Sequence, residues 1–378
     1  MLDTPHILLP GPTPVPERVQ QAMLRSMSDH RGNVFEPVLA RVYARLAALL
    51  HVGNAGRVAV LPASGTGGLE AAIQNFFQPG DHVLSVETGL FGKRFKEIAQ
   101  AMDVQVETVA FEWGQAFDEG QVLDVLERTP VKGVLLTHNE TSTGVLNPVE
   151  TLAPRIRALP HSPLILVDSI SGVPSVPFNL MQSQADVIIA ASQKGFMCPP
   201  GLAILGLSER AVEHVLKDRR GRHYLDLRPY LDGHLPYTPA VSLIYGLDAA
   251  LELLDEEGEA ARLARHRQLA QMARAFGEAA GLPPLVGENV TSPTVTALSV
   301  PAPLTPADLR RQAAERGLQI AGGLGPWHHS AIRIGHVGAV DAADLWGGLG
   351  ILAHMVPNPL PALEAAFTAW KSPSPVFS

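Results

Sequence analysis

One stretch, residues 164–201, constrains the fold of this chain more than any other: LILVDSISGVPSVPFNLMQSQADVIIAASQKGFMCPPG. Residues 164–167 and 186–190 are short apolar runs rich in β-branched side chains, the pattern of strands covered on both faces. The first run is followed by Asp168, the second by Ser192-Gln193-Lys194-Gly195. Open α/β sheets bind ligands just outside the carboxyl ends of their strands, so Asp168 and Lys194 are expected to meet in one crevice, one crossover apart.

A lysine that forms a Schiff base with an aldehyde cofactor works with a carboxylate at the far end of the ring, which keeps the pyridine nitrogen protonated. Asp168 and Lys194 have those two chemistries, and the stretch reads as a pyridoxal-phosphate site. Taken singly, neither residue carries that reading. An aspartate ending a strand is ordinarily a turn or cap residue, and a lysine after Ser-Gln is ordinarily solvated.

The remaining chain supplies a frame for the pair. With 378 residues, 46% of them hydrophobic and 17% charged, it is long and apolar enough for a large core and two domains. Strands are predicted at 57–61, 82–86, 104–109, 133–137 and 164–167, alternating with helices, which implies a mainly parallel sheet. Ser64-Gly65-Thr66-Gly67-Gly68 opens one such helix. Free backbone N–H groups and the positive helix end there suit a phosphate, although the same residues also make an ordinary N-cap. Phe91 follows the second strand at the mouth of the crevice, either to stack on a cofactor ring or to serve the core. The polar turn HNETSTGVLNP, residues 138–148, is a binding-loop candidate.

At the amino end, Pro10, Gly11, Pro12, Pro14 and Pro16 make a stiff arm that is not helical before about Glu17. It is either a surface tail or a cover for a neighbouring site. The arm lacks the charge and apolar core of a signal peptide, and no apolar run is long enough for a membrane span. A net charge of −8 without a basic run argues against nucleic acid as a partner. The single Cys198 excludes an internal disulfide and offers no cysteine cluster for a metal; it fits a reducing compartment without identifying one, and the expected location is the cytoplasm. Helices at 239–258 and 260–280 lead to strands near 295–300, 319–321 and 331–334. The expected organisation is an arm (1–20), a large domain (21–259) and a small carboxyl-terminal α+β domain (260–378).

In order, PGP, SGTGGLEAA, THNETSTGV, LVDSISG, SQKGFMCPPG, YTPAVSLIYGL and GGLGPWHHSAIRIGHVG resemble the class V aminotransferases, in their alanine:glyoxylate and serine:pyruvate branch. The resemblance covers nearly the whole chain. It implies a fold type I pyridoxal 5′-phosphate enzyme, a homodimer with shared active sites, which transaminates between serine or alanine and glyoxylate or pyruvate. It also assigns roles. Lys194 is the Schiff-base lysine and Asp168 the partner of the pyridine nitrogen. Thr141 approaches the phenolic oxygen, while Ser64, Gly65, Thr66 and Gln193 hold the phosphate. Thr238, with Tyr237 less firmly placed, reaches the phosphate of the partner subunit. Arg333 clamps the substrate carboxylate, and Pro10 and Gly11 cover the substrate. Phe91 stands where mammalian-type members have tryptophan, which keeps the stacking ring without the indole N–H.

Aspartate remains an alternative amino donor. Trp327, His328, His329 and His336 are either pocket-shaping residues or, for the histidines, surface ones. A cysteine desulfurase of the same fold needs a reactive cysteine on a mobile loop, whereas Cys198 lies four residues after Lys194. A nucleotide-binding protein without catalysis would use SGTGG but not Asp168, Lys194 and Arg333 together.

Overall fold

The computed structural model describes residues 5–218, 220–233 and 235–372. The first four residues of the arm, Arg219 and His234 of the basic aromatic segment, and the Pro- and Ser-rich end from 373 onward lie outside the described residues.

Among the described residues the strands are β1 (His6–Leu8), β2 (Arg57–Leu61), β3 (His82–Glu87), β4 (Gln105–Ala110), β5 (Gly133–Thr137), β6 (Asn139–Glu140), β7 (Val145–Leu146), β8 (Leu164–Asp168), β9 (Val187–Ala191), β10 (Ala203–Leu207), β11 (Val295–Ser299), β12 (Leu318–Gly322) and β13 (Ala331–Gly335). Seven of them form one sheet in the order β2-β10-β9-β8-β5-β3-β4. The neighbours from β9 to β4 are parallel, while β10 runs antiparallel to both β9 and β2. The expected mainly parallel sheet therefore carries one reversed strand, because the turn after Lys194 returns directly into β10 without a crossover helix.

β5, β8 and β9 are buried along their whole length, which is why they read as continuous apolar runs rather than alternating ones. Alternate residues still feed separate cores. Val134, Leu136, Ile165, Val167 and Ile188 face one helical layer, and Leu135, Leu164, Leu166, Val187 and Ile189 face the other. The helix Gly65–Phe76 lies flush on the sheet, since a Cβ at Gly68 would stand 3.0 Å from both Ala203 Cβ and Ile189 Cγ2.

A second, four-stranded sheet has the order β1-β12-β13-β11 and its own apolar core. The arm is thus more than an extended segment. Its first piece, β1, pairs in parallel with β12, so the chain's start is built into the sheet formed near its end. The helices Val241–Glu257 and Glu259–Ala280 meet at Gly258, whose φ of +75° lets the chain turn there. A carboxyl-terminal helix, Pro359–Lys371, was not anticipated; two prolines at its start masked the periodicity that follows.

Candidate active site

Five strand ends converge on the carboxyl edge of the large sheet. The register sets Thr137, the end of β5, beside Asp168, the end of β8, and Asp168 beside Ile189 of β9. The loops beyond these ends enclose a cavity of about 250 Å³, and its wall includes Ser64, Gly65, Thr66, Phe91, Thr141, Asp168, Gln193 and Lys194. Eight residues predicted from scattered motifs are therefore brought to one place.

At one end of the cavity the helix Gly65–Phe76 begins. Ser64 is its N-cap, accepting from Gly67 N at 3.3 Å. The first-turn N–H groups point off the helix end and suit an anion. Glycine at position 65 lets Ile170 pack against the helix start: a Cβ there would lie 2.7 Å from Ile170 Cδ1, and that side chain would have to shift.

Asp168 is buried, and its Oδ1 accepts from Ile170 N at 2.9 Å. Burial pushes its carboxyl from 3.8 up to about 7, against the opposing pull of Ile170 N–H and of Lys194 and Arg94. A protonated ring nitrogen seated against it would supply the missing positive partner. The Lys194 ammonium moves the other way. Desolvation, helped by the charge of Arg333, brings it from 10.5 down to about 8, with Asp168 opposing. The shift enlarges the share of neutral amine, the form that can attack an aldehyde. Gln193 Oε1 and Asn139 Oδ1, two further polar atoms of the cavity wall, are buried without a hydrogen-bond partner. Carboxylate, amine, helix end and unpaired amides together fit pyridoxal phosphate.

The arm closes over the lysine. Lys194 Nζ donates to Pro10 O, Thr13 N donates to Gln193 O at 3.2 Å, and Thr13 Oγ1 donates to Lys194 O at 3.3 Å. Gly11 has φ +119°, and a Cβ there would fall 2.4 Å from Nζ. The arm is therefore a cover on its own chain's lysine rather than a loose tail.

Arg333, on β13, is 8% exposed. Its Nε donates to Gly322 O and its Nη1 to Thr141 O, each at 2.9 Å. No carboxylate among the described residues pairs with it, and burial lowers the guanidinium from 12.5 to about 10. A buried cation with half its fork unused suits an incoming carboxylate.

Other expected residues are placed elsewhere. Tyr237 bonds His223 through its hydroxyl and stacks on His223 and Tyr224, and Thr238 is exposed; neither lines the cavity of its own chain. His336 is buried, bonded to Thr296 Oγ1 at 2.9 Å and Pro293 O at 2.8 Å, and burial lowers it to about 4, so it is neither a surface nor a pocket residue but a neutral framework group. His328 and His329 are exposed, and Trp327 meets Trp113 edge-on at 5.6 Å. Cys198 is fully buried, with its thiol pushed upward, which removes the exposed thiolate that a desulfurase requires.

Sequence reasoning missed Arg94, Asn139, Ile170 and Ser171 in the cavity wall. Arg94 was within reach of argument, since it follows Phe91 by three residues on one helix face and its Cζ sits 4.9 Å from the ring centroid. It also missed Glu140, whose fully buried carboxylate lies one residue before Thr141.

Residues 7–336 match the family model described as Aminotransferase class-V. The chain is 35% identical over 360 residues to a Synechococcus protein named soluble hydrogenase, small subunit, covering 93% of each. It is 34% identical over 361 residues to a serine--glyoxylate aminotransferase of Hyphomicrobium methylovorum, covering 92% of this chain and 89% of that one. Ureidoglycine-glyoxylate aminotransferase from Bacillus subtilis superposes with a TM-score of 0.91 at 25% identity, over 98% of this chain and 99% of the other. Matched along most of its length in sequence and in fold, the chain belongs to the class V aminotransferases, which depend on pyridoxal phosphate.

Proposed function

We propose that this enzyme transfers an amino group from a small amino acid, serine or alanine, to a 2-oxo acid, glyoxylate or pyruvate. The observation that carries the reading is the buried Arg333 fork, without an ion pair of its own among the described residues, which bonds Thr141 O of the cavity wall and is near enough for its charge to act on Lys194. The glyoxylate in the names of the Hyphomicrobium and Bacillus proteins supports the acceptor. The Synechococcus relative's name is not taken over, because the cavity holds the Lys194 amine and the Asp168 carboxylate with the Arg333 guanidinium bonded to its wall at Thr141 O, the groups of amino-acid chemistry.

Bound pyridoxal phosphate supplies an electron sink for the bond to the substrate α-hydrogen. Lys194 would hold it through Nζ, and the same amine, when free, would take and return the substrate α-proton as general base and acid. Asp168 would favour the protonated ring nitrogen. Ser64, Gly65, Thr66 and Gln193 would hold the phosphate, with Thr141 and Phe91 holding the ring. Arg333 orients the α-carboxylate, while Pro10 and Gly11 exclude water above Nζ. Donor and acceptor use one site in turn, so the kinetics are ping-pong.

The active unit in this reading is a homodimer in which Thr238 and Tyr237 serve the partner's phosphate. Their position away from their own cavity supports it, as do the exposed Leu24, Met27 and Val34. The proposed division is a large domain to residue 259 and a small one from 260. No helix among the described residues is long and apolar enough to cross a membrane, and the proposed location is the cytoplasm.

Borohydride reduction of the pyridoxal-loaded protein, followed by peptide mapping, should label Lys194, and Lys194→Ala should abolish transamination. A panel of amino acids against glyoxylate, pyruvate and 2-oxoglutarate identifies the pair. Label on another lysine, or no turnover with any pair, would overturn the reading.

A further inference from the structure

Glu140 is a fully buried carboxylate that forms no ion pair among the described residues; it is not itself part of the cavity wall, yet both its oxygens are engaged. Oε2 accepts from Phe91 N at 3.0 Å and Gly92 N at 3.1 Å. Oε1 accepts from Ser142 N at 3.0 Å and Ser142 Oγ at 2.6 Å. Ser142 Oγ in turn accepts from Leu90 N at 2.9 Å. The first three N–H groups of the helix Leu90–Ala101 are therefore capped from residues 140–142, and its own N-cap, Gly89, has no side chain to offer. The approach is close enough that a Cβ at Gly89 would lie 2.5 Å from Ser142 Oγ and 2.6 Å from Glu140 Cδ. Burial pushes the Glu140 carboxyl up, and the bonds from Ser142, Gly92 and Phe91 at the helix start oppose that shift by favouring its charged form.

The neighbouring residue belongs to the other half of the site. Thr141 O receives Arg333 Nη1, and Thr141 Oγ1 donates to Ser171 Oγ at 2.6 Å. We propose that Glu140 is a positioning residue that ties the ring of Phe91 to the docking point of Arg333, so that the cofactor plane and the substrate carboxylate are set by one turn of chain. The inference rests on the reading that pyridoxal phosphate occupies this cavity. Glu140 is not a reserve base, because every acceptor position facing the helix is occupied.

The test is a double-mutant cycle on apoprotein titrated with pyridoxal phosphate, comparing wild type, Glu140→Gln, Phe91→Ala and the double variant. Loss of the charged clamp should raise the cofactor dissociation constant about tenfold or more and weaken the visible circular dichroism per bound cofactor. In the Phe91→Ala background the same change should alter affinity less than about twofold, since Glu140 acts through that ring. The donor KM should rise in Glu140→Gln but not in Phe91→Ala. If Glu140→Gln does not fold, Ser142→Ala removes one bond to the carboxylate and the Leu90 cap, and should show a smaller effect with the same non-additivity. Unchanged affinity in a folded variant, or effects that multiply independently, would overturn the proposal. Wild-type protein that never develops the pyridoxal chromophore would instead overturn the reading of the cavity, and this inference with it.

Discussion

Asp168→Asn offers a measurement in which the demands of stability and of chemistry separate. The Ile170 amide donates to Asp168 Oδ1 at 2.9 Å, and an asparagine carbonyl accepts the same bond, so the substitution alters charge more than shape. In the apoprotein the carboxyl titrates at about 7, against an ordinary 3.8, because burial penalises its charged form. A group raised on folding contributes its full share of stability below its unfolded value and loses it as pH rises through the folded one. The wild-type contribution therefore declines from about pH 4 to about pH 7 and is flat above. At pH 8.5 the ionised carboxylate should cost the apoprotein on the order of 4 kcal/mol relative to the amide, and at pH 5 about 1 to 2 kcal/mol. Urea unfolding of both apoproteins at the two pH values measures the gap directly. Bound cofactor should offset part of that gap, since the charge-assisted bond from the ring nitrogen, about 1.5–3 kcal/mol, is available only to the carboxylate; the gap narrows at pH 8.5 and closes at pH 5. An asparagine apoprotein no more stable than wild type at the higher pH, or a gap that narrows as pH rises, would refute the account of Asp168 as an uncompensated buried acid.

Arg333→Lys should raise the KM of donor and acceptor alike by about ten- to a hundredfold, because a single ammonium does not reproduce the planar fork; cofactor titration should stay as in wild type. Gly11→Ala places a Cβ 2.4 Å from Lys194 Nζ at a strained φ of +119°. It should lower kcat by about tenfold or more and also lower the urea midpoint, since alanine at positive φ destabilises by about 1 kcal/mol or more; a fully active variant would remove the arm from the site. Mixing inactive Lys194→Ala subunits with inactive Thr238 variants should restore part of the activity in heterodimers, as one site of each pair then has both residues. Heterodimers that stay inactive would exclude the shared site.

Much of this site was legible before folding because its chemistry sits where strands end. Residues 164–167 and 186–190 announced buried strands by composition alone, and the polar residues immediately after such runs have only the carboxyl edge of the sheet to occupy. SGTGG announced a helix end open to an anion for the same local reason. What the sequence left undecided were relations between segments far apart in the chain. No local pattern places Pro10 O on Lys194, seats β1 against β12, or turns β10 antiparallel. The same holds for Glu140, which read as one polar residue in a polar turn until packing set its carboxylate on the start of the helix bearing Phe91. Short-range periodicity and turn chemistry are properties of a few consecutive residues. Burial without a partner, as at Asp168 and Arg333, is a property of everything that surrounds a side chain, and only the tertiary structure decides it.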